Sequence, residues 1–459
     1  MKNRGINITS RCIASSLAAA VLVSGTMSYS GSANSYELEP WLRGAVTSRD
    51  VSNRPSLNTI DQDSWLIEAR LGIRDQVSSQ WSWFADVRAL AANDNTFLSD
   101  QTNDVVREDG SSDSYFLQVR EAYLRYSGLT PYPEEYLTIG LQRLADADGF
   151  WWDADIESIS WQADTTQLDW LVAIGREFDT YRTDADLSAV NKDVTRAFAG
   201  FDWDWVAYHS IGFNYMRQSQ STDLAEARFS DNALGKNATV NWYGVKLMSN
   251  WHQRQGPSPL AYKLEWIAQR GDTSLVRDNA LVIPSSIDAD AIDAGVRYDF
   301  AKWSVGLTYT RGSGGLSAGE SNNFVQSGLH TNRGQYFGGR QRLIRFNEAL
   351  RADITNLLHS GLFVSYRPNL EWEAVVLLGD YQKSDAQENI FSLTREIETQ
   401  AGNKDVGNSL DVNLTYTPQN PFYNMHLLRL RAGVFSPGDA MLRSGTDYRI
   451  TLDAQFWYW

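Results

Sequence analysis

Between Asp290 and Arg311 the chain reads DAIDAGVRYDFAKWSVGLTYTR, and apolar and polar residues take strict turns. Ile292, Ala294, Val296, Tyr298 and Phe300 hold one parity; Asp293, Gly295, Arg297 and Asp299 hold the other. After Ala301-Lys302 the alternation resumes, with Trp303, Val305, Leu307 and Tyr309 against Ser304, Gly306, Thr308 and Thr310. A repeat of two residues makes a strand with one apolar and one polar face. A helix would scatter Arg297 and Asp299 around its apolar side. A soluble sheet usually buries its large aromatics mid-strand. Here Tyr298, Phe300, Trp303 and Tyr309 gather at strand ends, as in the interfacial girdles of membrane β-barrels.

The same beat runs through the chain as strand, short turn, strand, long polar loop. Tyr36 to Val46 opens it, followed by Trp65 to Arg74 and Trp81 to Arg88. Further segments centre on Leu124, Ile139, Ile159, Val172, Phe201, Phe213, Val245 and Leu264. After the hairpin come Leu362, Val376, Val412, Leu430 and the terminal strand from Tyr448 to Tyr458. Residues 345–355 (RFNEALRADIT) also alternate and would bring the count to nineteen. An odd number would leave the termini on opposite sides of the membrane, whereas single-chain bacterial barrels have an even number. That segment is therefore assigned to the large extracellular loop, or to an extension of the next strand above the membrane. The expectation is an all-β fold: a transmembrane antiparallel β-barrel of about 18 strands, with short periplasmic turns and long extracellular loops. A β-helix or propeller would need a residue repeat of fixed period, and only the pattern repeats. The last strand carries one irregularity. Its apolar parity, Ile450 to Tyr458, is out of step with the terminal Trp459, and a bulge at Phe456-Trp457 would reconcile the two.

The amino terminus changes the address. Lys2, Arg4 and Arg11 precede an apolar run from Ile13 to Met27, and small residues follow to Ser35. This is the order of a secretory signal peptide, so residues 1–35 are assigned to the leader and 36–459 to the barrel. Cys12, the only cysteine, falls inside the leader. The exported chain must then hold without disulfides in an oxidising compartment, as a closed hydrogen-bonded barrel does. Removing the leader takes the formal charge from −15 to −18, since it holds three bases and no acid. Such an acidic chain argues against nucleic acid as a partner. Mean hydropathy is −0.39, and beyond the leader no apolar run approaches the ~20 residues of a spanning helix. The bacterial outer membrane, with its lipid as one partner, is the expected location.

If the apolar parity faces lipid, the other lines the lumen. It reads Arg43, Glu68, Arg70, Arg74, Asp86, Arg88, Asp169, Arg196, Asp202, Lys246, Lys263, Glu265, Asp293, Arg297, Asp299, Asp411, Arg429 and Arg431. The acid excess is assigned to loops at 100–113, 179–193, 272–293 and 380–405. Guanidinium is planar, permanently charged and forked to meet carboxylates, and basic rings select anions in pores. Each arginine could equally pair with a lumenal Asp or Glu. As a set they point to anion preference. No enzyme is expected: the five histidines lack metal-ligand spacing, and no G-x-S-x-G or Gly-rich phosphate loop is present. No cofactor is expected either. Loop-bound Ca²⁺ at Asp288, Asp290 and Asp293, or at Asp184 and Asp186, is the weaker alternative to solvated acidic loops.

Four groups of residues carry a resemblance. One runs from Gly140-x-Gln142-Arg143-Leu144 through Asp155-Ile156-Glu157 to Trp161. Another is Tyr309-x-Arg311-Gly312-Ser313-Gly314-Gly315, with Gln326-x-Gly328-Leu329 and Asn332-Arg333 after it. The third is Arg345-Phe346-x-Glu348-Ala349-x-Arg351 with Asn356-Leu357; the fourth is Phe435-x-Pro437-Gly438-Asp439-Ala440 with Gly445-Thr446-Asp447. In these, nearly the whole chain resembles the alginate export porins of the outer membrane (the AlgE family). The resemblance implies an eighteen-stranded barrel that exports an anionic exopolysaccharide, an alginate-like polyuronate, through an arginine-lined constriction capped by loops. It places that constriction on Arg70, Arg74, Arg143, Arg345, Arg351 and Arg429. Parity adds Arg297 and Arg431 as pore-lining candidates. The resemblance also suggests a periplasmic scaffold protein as a partner. Leu141 departs from the arginine expected after Gly140, which leaves the identity of the polymer open. An anion-selective uptake porin for small carboxylates or oligouronates is the alternative.

Overall fold

A computed structural model of the chain describes residues 39–51, 64–93, 114–184, 187, 193–220, 236–254, 258–277, 281–317, 319–335, 337–392, 395–418, 426–442 and 444–458. The leader assignment at 1–35, the acidic loop assigned to 100–113, and Asp186 lie outside them. Eighteen long antiparallel strands form one sheet that closes on itself, because the first strand, Glu39–Val51, pairs with both Ser64–Gln76 and the last, Asp447–Tyr458. Closure removes the edges that an open sheet would leave unpaired. Leu264, Val296, Leu307, Leu378 and Leu452 are exposed on the outside, while Asp293, Arg297, Asp411, Arg429 and Arg431 are buried inside. The predicted parity is the parity found. Rings pair where periplasmic turns meet the strands: Trp81 with Tyr126, Trp303 with Tyr366, Trp372 with Tyr416.

Three expectations are corrected. Residues 272–293 are not an acidic loop, because Leu260–Arg277 and Leu281–Phe300 pair in continuous register from Leu260↔Tyr298 to Arg277↔Leu281. Asp380 likewise belongs to the strand Trp372–Lys383. The last strand has no bulge at Phe456-Trp457. Its register with both neighbours is unbroken, and Trp457 lies opposite Arg43, whose guanidinium sits over its ring at 5.3 Å.

The third correction concerns residues 345–355: they belong to the long loop, as the first of the two assignments had it, but not to a strand extension above the mouth. Asn347 at φ 63° and Arg351 at φ 50° occupy the left-handed region and break the alternation into turns. The Asn347 Oδ1 accepts from the Ala349 and Leu350 amides at 3.0 and 2.9 Å, a local bond that competes with a strand ladder. Phe346, Leu350 and Ile354 are buried in one cluster with Phe198, Met216, Val240, Trp242 and Ile267, whose wall positions face inward. The loop after Trp303–Gly312 therefore enters the barrel. Its far end reaches the periplasmic rim, where Arg340 donates to the carbonyls of Asn369 and Leu370.

A second element turns inward. Tyr115–Tyr126 pairs with Glu135–Ala145 only from Ala122↔Leu141 to Tyr126↔Leu137. Above that, the Val119 amide bonds the Tyr181 carbonyl instead. The upper half of the hairpin formed by Glu135–Ala145 and Asp153–Asp164 leaves the wall. Its tip buries Phe150, Trp151 and Trp152 and reaches Lys263 and Glu265 across the lumen. The inner loop and hairpin tip lock together through bonds from the Thr331 and Asn332 amides to the Gly149 carbonyl, both 2.9 Å.

Candidate functional site

The inner loop brings charge into the middle of the barrel and is held there by charge. Arg345 makes a bidentate contact with Asp293, with Nη1 3.0 Å from Oδ2, and also meets the Thr310 hydroxyl. Lys263 bridges Asp293 at 2.8 Å and Glu265 at 3.2 Å, and pairs with Asp148 of the hairpin tip. These are buried groups, so the network is satisfied pair by pair, as a low-dielectric interior requires. Trp151 Nε1 donates to Glu265 at 2.8 Å, and its ring fills the space over Gly244 where a Cβ would lie 2.3 Å away. Asp146 at the same tip accepts the Phe150 and Trp151 amides. Burial, then the neighbouring Asp148, pushes its carboxyl up to about 7.

The second centre is basic. Arg429 donates to Asp453 at 2.8 Å; Arg431 reaches Asp453 at 3.1 Å and Glu348 of the inner loop at 2.9 Å. Arg351 lies 3.8 Å from Glu348. Asp153 is shared by Arg143 at 2.9 Å and Arg342 at 2.6 Å. Arg333, on the inner loop, faces Arg429, Arg431 and Arg342. Burial and then those cations lower its guanidinium to about 9. Among the described residues, the four arginines Arg333, Arg342, Arg429 and Arg431 thus gather around Glu348, Asp453 and a part of Asp153. Arg143 and Arg342 keep 35% and 29% of their side-chain surface exposed.

On the wall beside this cluster, Arg43, Arg70 and Arg88 stand in one register line across three strands. Glu68 meets Arg43 at 3.1 Å and Arg88 at 3.9 Å, and the fully buried Asp86 pairs with Arg70. Arg120, the extra residue of a bulge opposite Asp86 and Val87, holds Asp155 at 2.8 Å. Arg74 is exposed at the periplasmic end of its strand.

Of the predicted site residues, Arg429, Arg431, Arg351 and Arg143 converge on the basic cluster, and Arg70 and Arg74 line the neighbouring wall. Arg345 faces inward but is committed to Asp293. Arg297 is fully enclosed: it donates to the carbonyls of Asn250, Trp251 and Gln253 and pairs with Asp299, tying down a periplasmic turn. A Cβ on Gly338 (φ 64°) would strike its Nη1 at 2.3 Å. Parity alone would have found Arg449, which stands inward and fully buried on the last strand. Arg120, Arg333 and Arg342 carry no such signal, because a bulge and an irregular loop place them. The Ca²⁺ candidates face cations instead: Asp288 meets Arg270, Asp290 meets Arg311, Asp293 meets Arg345, and Asp184 meets Arg182. Among the described residues no group of three His, Cys, Asp or Glu side chains is placed to hold a metal ion.

The sequence profile described as alginate export matches residues 41–452. The chain belongs to the alginate export family. It is similar to the alginate production protein AlgE of Pseudomonas aeruginosa, 31% identical over 395 residues that cover 80% of this chain and 80% of that protein. It is also similar to AlgE of Azotobacter vinelandii, 30% identical over 354 residues, 69% of this chain and 72% of that one. Among solved structures it is similar in fold to OccAB2 of Acinetobacter baumannii, with a TM-score of 0.59 at 13% identity, covering 92% of this chain and 98% of that one. OccD3 of P. aeruginosa gives 0.58 at 10% identity, covering 94% and 92%. This family member is an outer-membrane channel, not an enzyme.

Proposed function

We propose that the chain passes a carboxylate-bearing polysaccharide of the alginate class outward, along the basic arc made by Arg43, Arg70, Arg88, Arg120, Arg429 and Arg431 of the wall and Arg143, Arg333 and Arg342 of the inward elements. The observation that carries this is charge surplus. On the wall and inner loop alike, arginines outnumber the carboxylates they share among the described residues, and Arg43, Arg143 and Arg342 keep part of their surface open to water. A polyuronate offers one carboxylate per sugar. Forked guanidinium donors bind each one in either of two ways, so the chain can step from one to the next without a deep trap. Sharing Asp153 and Asp453 between arginines keeps each contact modest. The inner loop is seated on this arc through Glu348 and Arg431, and the hairpin through Asp155 and Arg120, so the path runs where Arg43, Arg143 and Arg342 stay open to water. The AlgE relatives, named for alginate production, support the same polymer class. Transport of this kind calls for no bound cofactor, and a scaffold protein at the periplasmic rim would deliver the polymer to the mouth.

The test is single-channel current in planar bilayers with polyuronate on the periplasmic side. Anion-selective conductance with concentration-dependent block by the polymer is expected. Cation-selective conductance, or block by a small uronate but never by the polymer, would overturn the polymer assignment.

A further inference from the structure

The outer wall carries arginines that the channel does not use. Four neighbouring ascending strands each present an outward apolar row that ends in arginine. Leu168, Trp170, Val172 and Ile174 lead to Arg176; His209, Ile211, Phe213 and Tyr215 lead to Arg217. Leu260 through Ala268 lead to Arg270, and Trp303 through Tyr309 lead to Arg311. Strand residues rise about 3.3 Å each and barrel strands tilt by about 40°, so these guanidinium groups stand roughly 20 Å above the start of each row, near the outer edge of a ~25 Å apolar band. The other arc of the barrel ends differently, on the exposed Asp50 and Asp380.

Within the basic arc, Arg217, Asn241 and Arg270 lie side by side in one register line across three strands. Arg217 is exposed, with no carboxylate at ion-pair distance among the described residues. The Asn241 oxygen accepts the Tyr215 hydroxyl at 3.0 Å, so what this side chain offers a ligand is its NH₂. Arg270 Nη1 is tied to Asp288 and to the Ala289 carbonyl, which fixes the guanidinium in place and offsets one of the two charges. Neighbouring strands run about 4.8 Å apart. Two guanidinium groups therefore flank an amide donor at the depth where lipid headgroups begin. We propose that Arg217, Asn241 and Arg270 bind the phosphate of a phosphorylated glycolipid in the outer leaflet; Arg176 and Arg311 on the same arc are already engaged by Asp193 and Asp290.

The test uses the full barrel in phosphatidylcholine nanodiscs doped with bisphosphorylated lipid A, compared with the same discs doped with its dephosphorylated form. Native mass spectrometry after detergent release reads the lipid retained. The wild type is expected to keep the phosphorylated lipid and lose the other. R217Q combined with N241L should weaken that retention about tenfold, as expected for losing one charge-assisted contact. R217K, which keeps the charge but not the fork, should fall between them. Heat-modifiable migration checks that each variant is folded, and R143Q, inside the lumen, should retain lipid like the wild type. Equal retention of both lipids, undiminished retention by R217Q/N241L, or full displacement by inorganic phosphate alone would overturn the proposal.

Discussion

Arg43 lies directly opposite Arg70 on the neighbouring strand, and Arg70 lies opposite Arg88 on the next. Like charges so placed repel and weaken a sheet. Glu68 and Asp86 stand between them and offset part of the repulsion, which leaves three cations for two carboxylates. That arrangement burdens the fold, and under the proposed function it is what a passing anion would meet.

Replacing Arg43 by Gln removes the surplus charge. Arg43 is the most exposed of the three at 20%, and Glu68 keeps Arg88 within 3.9 Å, so no carboxylate is orphaned. A partly wet contact of this kind contributes about 0.2–1 kcal/mol. The anion-to-cation permeability ratio, read as a reversal potential under a salt gradient, should fall by up to about fivefold. Heat-modifiable migration should be unchanged.

Arg345 should behave differently. A charge at a water-filled mouth could be reversed with little structural cost, but Arg345 is buried against Asp293 inside the barrel. Arg345→Glu sets two carboxylates together and leaves Lys263 to hold both. Breaking a buried pair costs about 3–5 kcal/mol. The inner loop should detach, with a lowered temperature for loss of the heat-modifiable form and new protease cleavage between 313 and 356. A selectivity change with no loss of stability would count against the buried pair.

The hairpin tip carries a pH dependence. The Asp146 carboxyl is raised from 3.8 to about 7 by burial and by Asp148. A raised acid favours the folded tip when protonated, so its contribution is present below about pH 4 and is lost as pH rises to about 7. Protection of the Phe150 and Trp151 amides from hydrogen exchange, taken relative to the intrinsic rate at each pH, should therefore fall across that window. Asp146→Asn should flatten the change while keeping an oxygen to accept both amides. Protection that falls equally with pH in the variant would show that another group titrates.

The wall was legible because period two survives along most of each strand, the bulge at Arg120 being an exception. Leu264 against Lys263 and Glu265, or Leu452 against Asp453, declares its face without help from elsewhere. What fills the barrel was not legible. Residues 345–355 alternate as a strand does, yet Phe346 and Leu350 are satisfied by Phe198, Val240 and Ile267, far away in sequence. Nothing local in RFNEALR announces Asn347 at φ 63°. Arg143 carries a motif and stands by Asp153 and Arg342, but the inward turn of its hairpin goes with the Tyr181 carbonyl taking the Val119 amide, a long-range exchange. Arg297 shows the limit of parity. It points inward and binds turn carbonyls rather than a solute.

The last prediction concerns the far end of the inner loop. Phe337 stacks on Phe363 with ring centroids 3.8 Å apart, and the His252 ring nitrogen meets the Gln335 carbonyl at 2.9 Å. Arg340 donates from its amide to Glu373 at 3.1 Å and from its guanidinium to the Asn369 and Leu370 carbonyls. Arg367 in turn joins Glu373 to the Gly338 carbonyl. The loop is thus fastened to the periplasmic turn at 367–371, while Arg345–Asp293 and Arg431–Glu348 hold its middle independently. Arg340→Ala removes two charge-assisted bonds at the rim, each contributing about 1.5–3 kcal/mol when sheltered and less where water reaches it. The rim end should open while the middle stays seated. Conductance in planar bilayers should then rise, with faster current fluctuations, and anion preference should persist because the basic cluster is untouched. Phe337→Ala should act in the same direction through the stacked rings. If both variants fold and conduct as the wild type does, the fastened segment lies away from the path and the narrowest point is set higher, at the basic cluster.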